Sequence, residues 1–193
     1  MIPPHECPIP GPAADFATRL AAQLPVIETE RLILRAPCID DFAIYLAIAD
    51  EDGEGNFVPE GADRADIWLD FTQMVATWLL RGHGAWAVDL RETGETLGFV
   101  LIGFEPGDHE PELGYLFLRK AGGKGYATEA ARAARDYAFG TAGLPALVSA
   151  IEPGNSRSAS LAERLGAQRD RAAEAAHAHA ALIYRHSPTE ARP

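Results

Sequence analysis

Between Glu112 and Ala130 the chain reads Glu112-Leu113-Gly114-Tyr115-Leu116-Phe117-Leu118-Arg119-Lys120-Ala121-Gly122-Gly123-Lys124-Gly125-Tyr126-Ala127-Thr128-Glu129-Ala130. A β-prone apolar run enters a glycine-rich turn, and the turn opens into an alanine-rich helical stretch. Glycine lets the backbone approach a ligand closely, and the first N–H groups of a helix have no acceptor within it. Such a turn is an anion site, suited to a phosphate or pyrophosphate. Charge-assisted hydrogen bonds contribute about 1.5–3 kcal/mol each and a helix N-terminus a further ~0.3–1 kcal/mol, so several together hold a diphosphate. Lys120 and Lys124 add local positive charge.

Two known phosphate patterns compete for this turn. The ATP-type loop needs four residues between its first glycine and Gly-Lys, then Ser or Thr after the lysine. Leu118 stands at the first glycine position and Gly125 follows Lys124, so that pattern fails. Gly123-x-Gly125-x-x-Thr128 comes nearer the dinucleotide fingerprint, with Glu152 ending the next strand as a ribose-binding acid. That reading, a small nucleotide-dependent oxidoreductase, requires a parallel sheet, and the surrounding elements supply too little chain for one.

Residues 1–12 carry five prolines and read as an extended tail. Phe16, Leu20 and Leu24 recur every four residues up to Pro25, the mark of a short helix packing on the domain. Residues 1–25 thus form an N-terminal extension and 26–193 a single domain. The run 31–35 is strand-like, 41–49 helical, and 51–63 an acidic loop with Gly53, Gly55, Pro59 and Gly61. Over 64–80 an amphipathic helix puts Ile67, Phe71, Met74, Val75 and Trp78 on one face. Strand-like runs at 85–90, 96–104 and 112–118 follow, joined by turn-rich connectors too short for a parallel crossover. Then come a helix at 124–139, a strand at 145–151, a helix at 155–165, a loop at 170–180 and a strand at 181–185. An antiparallel meander followed by strand–helix–strand makes a mixed sheet.

The net charge of −11 excludes a nucleic-acid binder, which needs a basic face to displace counterions from phosphates. No apolar run approaches the ~20 residues of a membrane span, and the N-terminus lacks the basic start and apolar stretch of a signal peptide. A soluble cytoplasmic protein with no membrane association is therefore expected. Cys7 and Cys38 are the only cysteines, and Cys7 falls in the tail, so no structural disulfide is expected. His177 and His179 lack a third ligand, and no metal site is assigned.

Three fragments in order now carry a family resemblance. Glu28-Thr29-Glu30-Arg31-Leu32-x-Leu34-Arg35, Gly123-Lys124-Gly125-Tyr126-Ala127-Thr128-Glu129-Ala130 and Asn155-x-x-Ser158-x-x-Leu161-x-x-x-Leu165-Gly166 resemble successive motifs of the GCN5-related N-acetyltransferase (GNAT) superfamily. Residues 28–186 are most similar to its ribosomal-protein N-terminal acetyltransferase-like subgroup. The resemblance implies an α/β (α+β) fold with a mixed, mostly antiparallel central sheet flanked by helices. It further implies a splay between the fourth strand (112–118) and the fifth (145–151) that takes the pantetheine arm of acetyl-CoA. The donor contacts implied are Phe117, Leu118, Lys120, Gly122, Gly123, Lys124, Gly125, Tyr126, Ala127, Thr128, Asn155 and Ser158. Acetyl would pass from acetyl-CoA to a primary amine, a protein N-terminus or a small amine, by direct attack in a ternary complex. The alternative is a coenzyme A-binding sensor of the same fold that transfers weakly or not at all. Oligomeric state, monomer or homodimer, stays open.

Transfer from a thioester needs a neutral amine, a polarised carbonyl and stabilisation of the leaving sulfur. A lysine-type amine of pKa ~10.4 costs about 4 kcal/mol to deprotonate at pH 7.4; an α-amine near ~7.8 costs well under 1 kcal/mol. Glu112, on the strand leading into the turn, is the candidate base if it points into the splay, and a solvated strand-edge carboxylate otherwise; Glu110 is the second choice. A backbone amide near Phe117 or Leu118 would polarise the carbonyl. Ser158 resembles the subgroup's proposed hydrogen-bond donor to the thiolate, though an ordinary helix-start serine reads the same way. Asn155 suits an N-cap. Many family members carry a tyrosine seven residues after that asparagine as the acid, where this chain has Ala162; Ala167 replaces the usual aromatic after the glycine. His83 reads as a turn residue, and Trp68, Trp78 and Trp86 as core, with Trp86 alternatively lining the acceptor pocket.

Overall fold

The computed structural model describes residues 2–51, 57, 61–177 and 180–188. In chain order its helices and strands are α1 (Pro12–Ala21), β1 (Ile27–Glu28), β2 (Leu32–Arg35), α2 (Phe42–Glu51), α3 (Arg64–Arg81), β3 (Ala85–Leu90), β4 (Thr96–Gly103) and β5 (Glu112–Phe117). They continue as α4 (Tyr126–Gly140), β6 (Val148–Ile151), α5 (Ser156–Arg164), β7 (Gln168–Arg169), α6 (Arg171–Ala176) and β8 (Leu182–Arg185). Eight strands form one open sheet in the order β1-β2-β3-β4-β5-β6-β8-β7. Every neighbouring pair is antiparallel except β5 and β6, which are parallel. The short connectors of the meander could join only antiparallel neighbours, whereas the α4 crossover permits the single parallel pair.

Strand alternation divides the core into two layers. Trp86, Val88, Val100, Ile102 and Leu113 point to the face covered by α4. Ala85, Ala87, Phe99 and Leu118 point to the face covered by α2 and α3. The amphipathic face read from the sequence buries Ile67, Phe71, Met74 and Trp78 of α3, each contributing about 1.5–3 kcal/mol. Asp63 starts that helix by accepting from the amides of Ala65 and Asp66 at 2.8 and 3.0 Å. Asp66 completes the capping box by accepting from the Asp63 amide at 2.9 Å.

Several elements differ from the sequence expectation. No residue of α1 is buried, and Phe16 and Leu20 face solvent; only Leu24, beyond the helix, packs against the core. The tail is docked, because Glu6 is buried and accepts from Arg64 Nε and Nη2, each at 2.6 Å. The stretch 170–180, expected as one loop, contains α6, since Asp170 caps that helix through the amides of Ala172 and Ala173. The strand at 145–151 begins only at Val148, after Pro145, which has no N–H for a ladder. Trp86 is fully buried, edge-on to Trp78 and Tyr137, and lines no acceptor pocket. Most of the acidic loop 51–63 lies outside the described residues, as does His179. No helix among the described residues is long and apolar enough to cross a membrane.

Candidate functional site

β5 and β6 share one register pair, Glu112 with Val148, and then diverge. Two side chains take over where the ladder stops. The Ser149 hydroxyl donates to the Leu113 carbonyl at 2.7 Å, and Glu112 Oε1 accepts from the Ala150 amide at 3.0 Å. A carbonyl only accepts, so the Ser149 proton goes to Leu113, and Ser149 Oγ accepts from His186 Nε2 at 3.0 Å. His186 is buried, and burial first, then the nearby Arg135 charge, depresses its pKa to about 4. It is therefore neutral, with its proton on Nε2.

Beyond this vertex the β5 backbone edge faces the gap. The Leu118 amide donates to Leu97 at 3.1 Å, and β5 pairs Phe117 with Gly98 and Tyr115 with Val100. Antiparallel alternation then turns the Tyr115 and Phe117 amides away from β4 and toward β6. Of the two carbonyl-polarising amides expected from the sequence, Leu118's is engaged in the sheet and Phe117's faces the gap.

The glycine turn sits at the same opening. Gly123 and Gly125 adopt φ of 74° and 81°, the left-handed region that glycine enters without a Cβ penalty. The amides of Ala121 and Gly122 close onto Leu118 and Arg119 at 2.9 Å, and Glu129 onto Gly125 at 3.0 Å. Those from Gly123 to Thr128 meet no acceptor among the described residues. Nearly a hundred residues earlier in sequence lies what fixes the turn. Glu129 accepts from Thr29 Oγ1 at 2.6 Å, the Arg31 amide at 2.9 Å and Arg31 Nε at 2.7 Å. Arg31 Nη1 reaches the Lys124 carbonyl at 2.9 Å, and its guanidinium lies 4.7 Å above the Tyr126 ring. Burial acts to raise the Glu129 pKa, and the bonds from Thr29 and Arg31 more than reverse it, leaving it below the usual range.

A cavity of about 840 Å³ runs from this turn through the gap to the other face of the sheet, a volume suited to a cofactor-sized ligand. Gly122, Gly123, Ala127, Asn155 and Ser158 wall one half; Tyr45, Asp70, Glu105, Asp108 and Glu112 wall the other. Asn155 Oδ1 accepts the Ser158 amide at 3.1 Å and starts α5, while the Ser158 carbonyl accepts from the Tyr115 hydroxyl at 2.9 Å. Burial, reinforced by the charges of Asp108 and Glu105 and opposed by the Ala150 amide, pushes the Glu112 carboxyl up to about 8. Asp70 is raised by burial against a hydrogen bond from Tyr45, and Glu105 by burial and then by Asp70 and Asp108.

Most of the site residues expected from the sequence fall into two groups. Gly122, Gly123, Ala127, Phe117, Leu118, Glu112, Asn155 and Ser158 share the cavity wall. Gly125, Tyr126 and Thr128 form the start of α4. Lys124 is exposed, and Lys120 points elsewhere, its ammonium paired with Glu95. Glu110 is held by Arg185 at 2.9 and 2.7 Å, which lowers its pKa and removes it as a base. Ala162 is buried with Ile151, Ala167 and Tyr184. His83 Nδ1 donates to the Ile102 carbonyl of β4 at 2.7 Å, and His177 caps the end of α6. Sequence reasoning missed Tyr115, Ser149, His186 and the Tyr45–Asp70 bond. It quoted Thr29, Arg31 and Glu129 within motifs without joining them; a buried-acid motif beside an arginine motif was the available signal.

The acetyltransferase (GNAT) domain family matches residues 31–168. The solved acetyltransferase from Agrobacterium tumefaciens str. C58 is 40% identical over 86% of this chain and 95% of its own, with a TM-score of 0.79. YkkB of Bacillus subtilis (strain 168) is 38% identical over 90 residues, 45% of this chain and 52% of that protein. The chain thus spans about half the length of that relative. RimJ of Mycobacterium smegmatis, solved in complex with CoA-disulfide, shares the fold at 21% identity, with a TM-score of 0.60 over 72% of this chain and 71% of its own.

Proposed function

This chain belongs to the GNAT acetyltransferase family, and from that premise we propose that it transfers an acetyl group from acetyl-CoA to a primary amine by direct attack in a ternary complex. One observation carries the reading. The amides from Gly123 to Thr128 meet no acceptor among the described residues, and Gly123 and Ala127 of that turn line a cavity that continues into the gap between β5 and β6. Those donors suit a diphosphate, and the gap suits an extended pantetheine arm. The CoA-disulfide held by RimJ on the same fold supports this donor class.

In the reaction the amine nitrogen forms a bond to the thioester carbon, whose oxygen is polarised by the Phe117 amide. One amine proton passes to Glu112, directly or through water, and the C–S bond breaks with its electron pair on sulfur. The Ser158 hydroxyl, on the cavity wall, hydrogen-bonds the thiolate, which takes up the proton released by the amine, through water, and leaves as the coenzyme A thiol. A second reading, a sensor that binds coenzyme A without transfer, draws on buried Ala162, which removes the customary acid.

Calorimetry with acetyl-CoA and thiol release with a panel of amines test the proposal. Micromolar binding with turnover supports transfer, binding without turnover supports the sensor, and no binding overturns both. Ser158→Ala is expected to lower kcat about tenfold with an unchanged KM, the loss of one charge-assisted hydrogen bond in the transition state.

A further inference from the structure

The cavity half that faces α2 and α3 receives the acceptor, and its chemistry narrows what that acceptor is; this step rests on the transfer reading above. We infer that the acceptor is an alkyl diamine or polyamine, with one amine presented to Glu112 and a second, protonated amine held by Asp70 and Glu105.

Asp70, Glu105, Asp108 and Glu112 open into one space with Tyr45. Among the described wall residues of this half, the cation at the rim is Arg119, whose amide and guanidinium are both engaged by Glu51. The Glu105 carboxylate meets no donor among the described residues, and Glu112, largely buried and lining the cavity, has only Oε1 engaged, by Ala150. The second Glu112 oxygen accepts no bond among the described residues and is free to take one. Ile48, Met74 and Leu101 add apolar wall to the same cavity. A methylene chain packs on such a wall while its two nitrogens meet carboxylates at either end.

Competing acceptors fit less well. An amino acid would carry its own carboxylate into a half already crowded with like charge, where repulsion in a shielded site is a strong rejecting element. A simple monoamine would leave Asp70 and Glu105 without a cation. The crowding is already visible at Glu105, where the charges of Asp70 and Asp108 add to burial in pushing its pKa up, and an ammonium would relieve it.

Thiol release from acetyl-CoA is measured with 1,5-diaminopentane, 1-aminopentane and 5-aminopentanoic acid as acceptors. The diamine is expected to exceed the monoamine at least tenfold in kcat/KM, and the amino acid to be the poorest. Asp70→Asn and Glu105→Gln should each shrink the diamine-to-monoamine ratio severalfold, through KM. Glu105 lies in the β4–β5 connection and its carboxylate accepts no bond among the described residues, so its variant folds even if Asp70→Asn does not. Equal rates with all three amines, or a ratio surviving both substitutions, overturn the diamine assignment and leave acetyl transfer standing. Failure of acetyl-CoA itself to bind overturns the transfer reading instead, and calorimetry with 1,5-diaminopentane alone then still decides the diamine site.

Discussion

Two influences pull the protonation of Glu112, the proposed base, in opposite directions. As an acceptor for the Ala150 amide it favours the charged form, yet burial beside Asp108 and Glu105 holds its pKa up to about 8. A base must be unprotonated to act, so kcat should rise with pH through about 8. Glu112→Gln should remove that inflection and lower kcat by about 100-fold or more; an unchanged profile would dismiss Glu112 as the base. The stability sign is the reverse. Unfolded, this carboxyl ionises near ~4.3, while the folded chain keeps its proton to about 8. Its favourable contribution is complete below the unfolded value and is lost as pH rises through the folded one. The Gln variant still accepts from Ala150, so urea titration should find it more stable at pH 8 by about 1–2 kcal/mol, discounted for remaining water contact. Glu112 was legible because it precedes the turn on a strand. Its elevated pKa was not, because Glu105 and Asp108 approach it only through the fold of the β4–β5 connection.

At the scale of elements, two joints make the site. The first ties the start of α4 to the chain entering β2 through Glu129, Thr29 and Arg31. Glu129→Gln keeps the shape and removes the charge, and should raise the acetyl-CoA dissociation constant about tenfold while costing about 1–2 kcal/mol at pH 7. Because the Glu129 pKa is lowered, that deficit should vanish as pH falls through the folded value, which denaturant titrations at several pH values would reveal. The second joint is the vertex of the gap. Ser149→Ala strands both the Leu113 carbonyl and His186 Nε2, a loss of about 2–3 kcal/mol by urea unfolding; a variant as stable as the parent would remove Ser149 as the pin. The elements themselves were readable where period and punctuation agree, as in α3 with its Asp63 cap and its buried stripe. They were misread where a single pattern has two outcomes. Phe16 and Leu20 share a face that the fold leaves exposed, and the alanines before His177 follow an aspartate that caps a helix. The Glu129 joint was present in the sequence only as two separate motifs, and the Ser149–His186 vertex had no signal, since each closes a distance in space between residues far apart in sequence.

The molecule as a whole carries a net charge of −11, and its two proposed substrates bear opposite signs. A uniformly acidic particle attracts a cationic acceptor and repels an anionic donor; only the local amides of the glycine turn reverse the sign for acetyl-CoA. Raising ionic strength from about 0.01 M to about 0.15 M shortens the Debye length from about 30 Å to about 8 Å, which removes most of the long-range field and little of the contact chemistry. The KM for a diamine should therefore rise severalfold across that range while the KM for acetyl-CoA falls or holds steady. Steady-state kinetics with each substrate varied in turn would show this divergence. If both constants moved together, the salt would be acting on the fold or on a shared step, and the whole-molecule charge would have no part in sorting donor from acceptor. A divergence lost in Glu105→Gln would instead trace the effect to the cavity mouth, since one charge in a total of eleven barely alters the distant field.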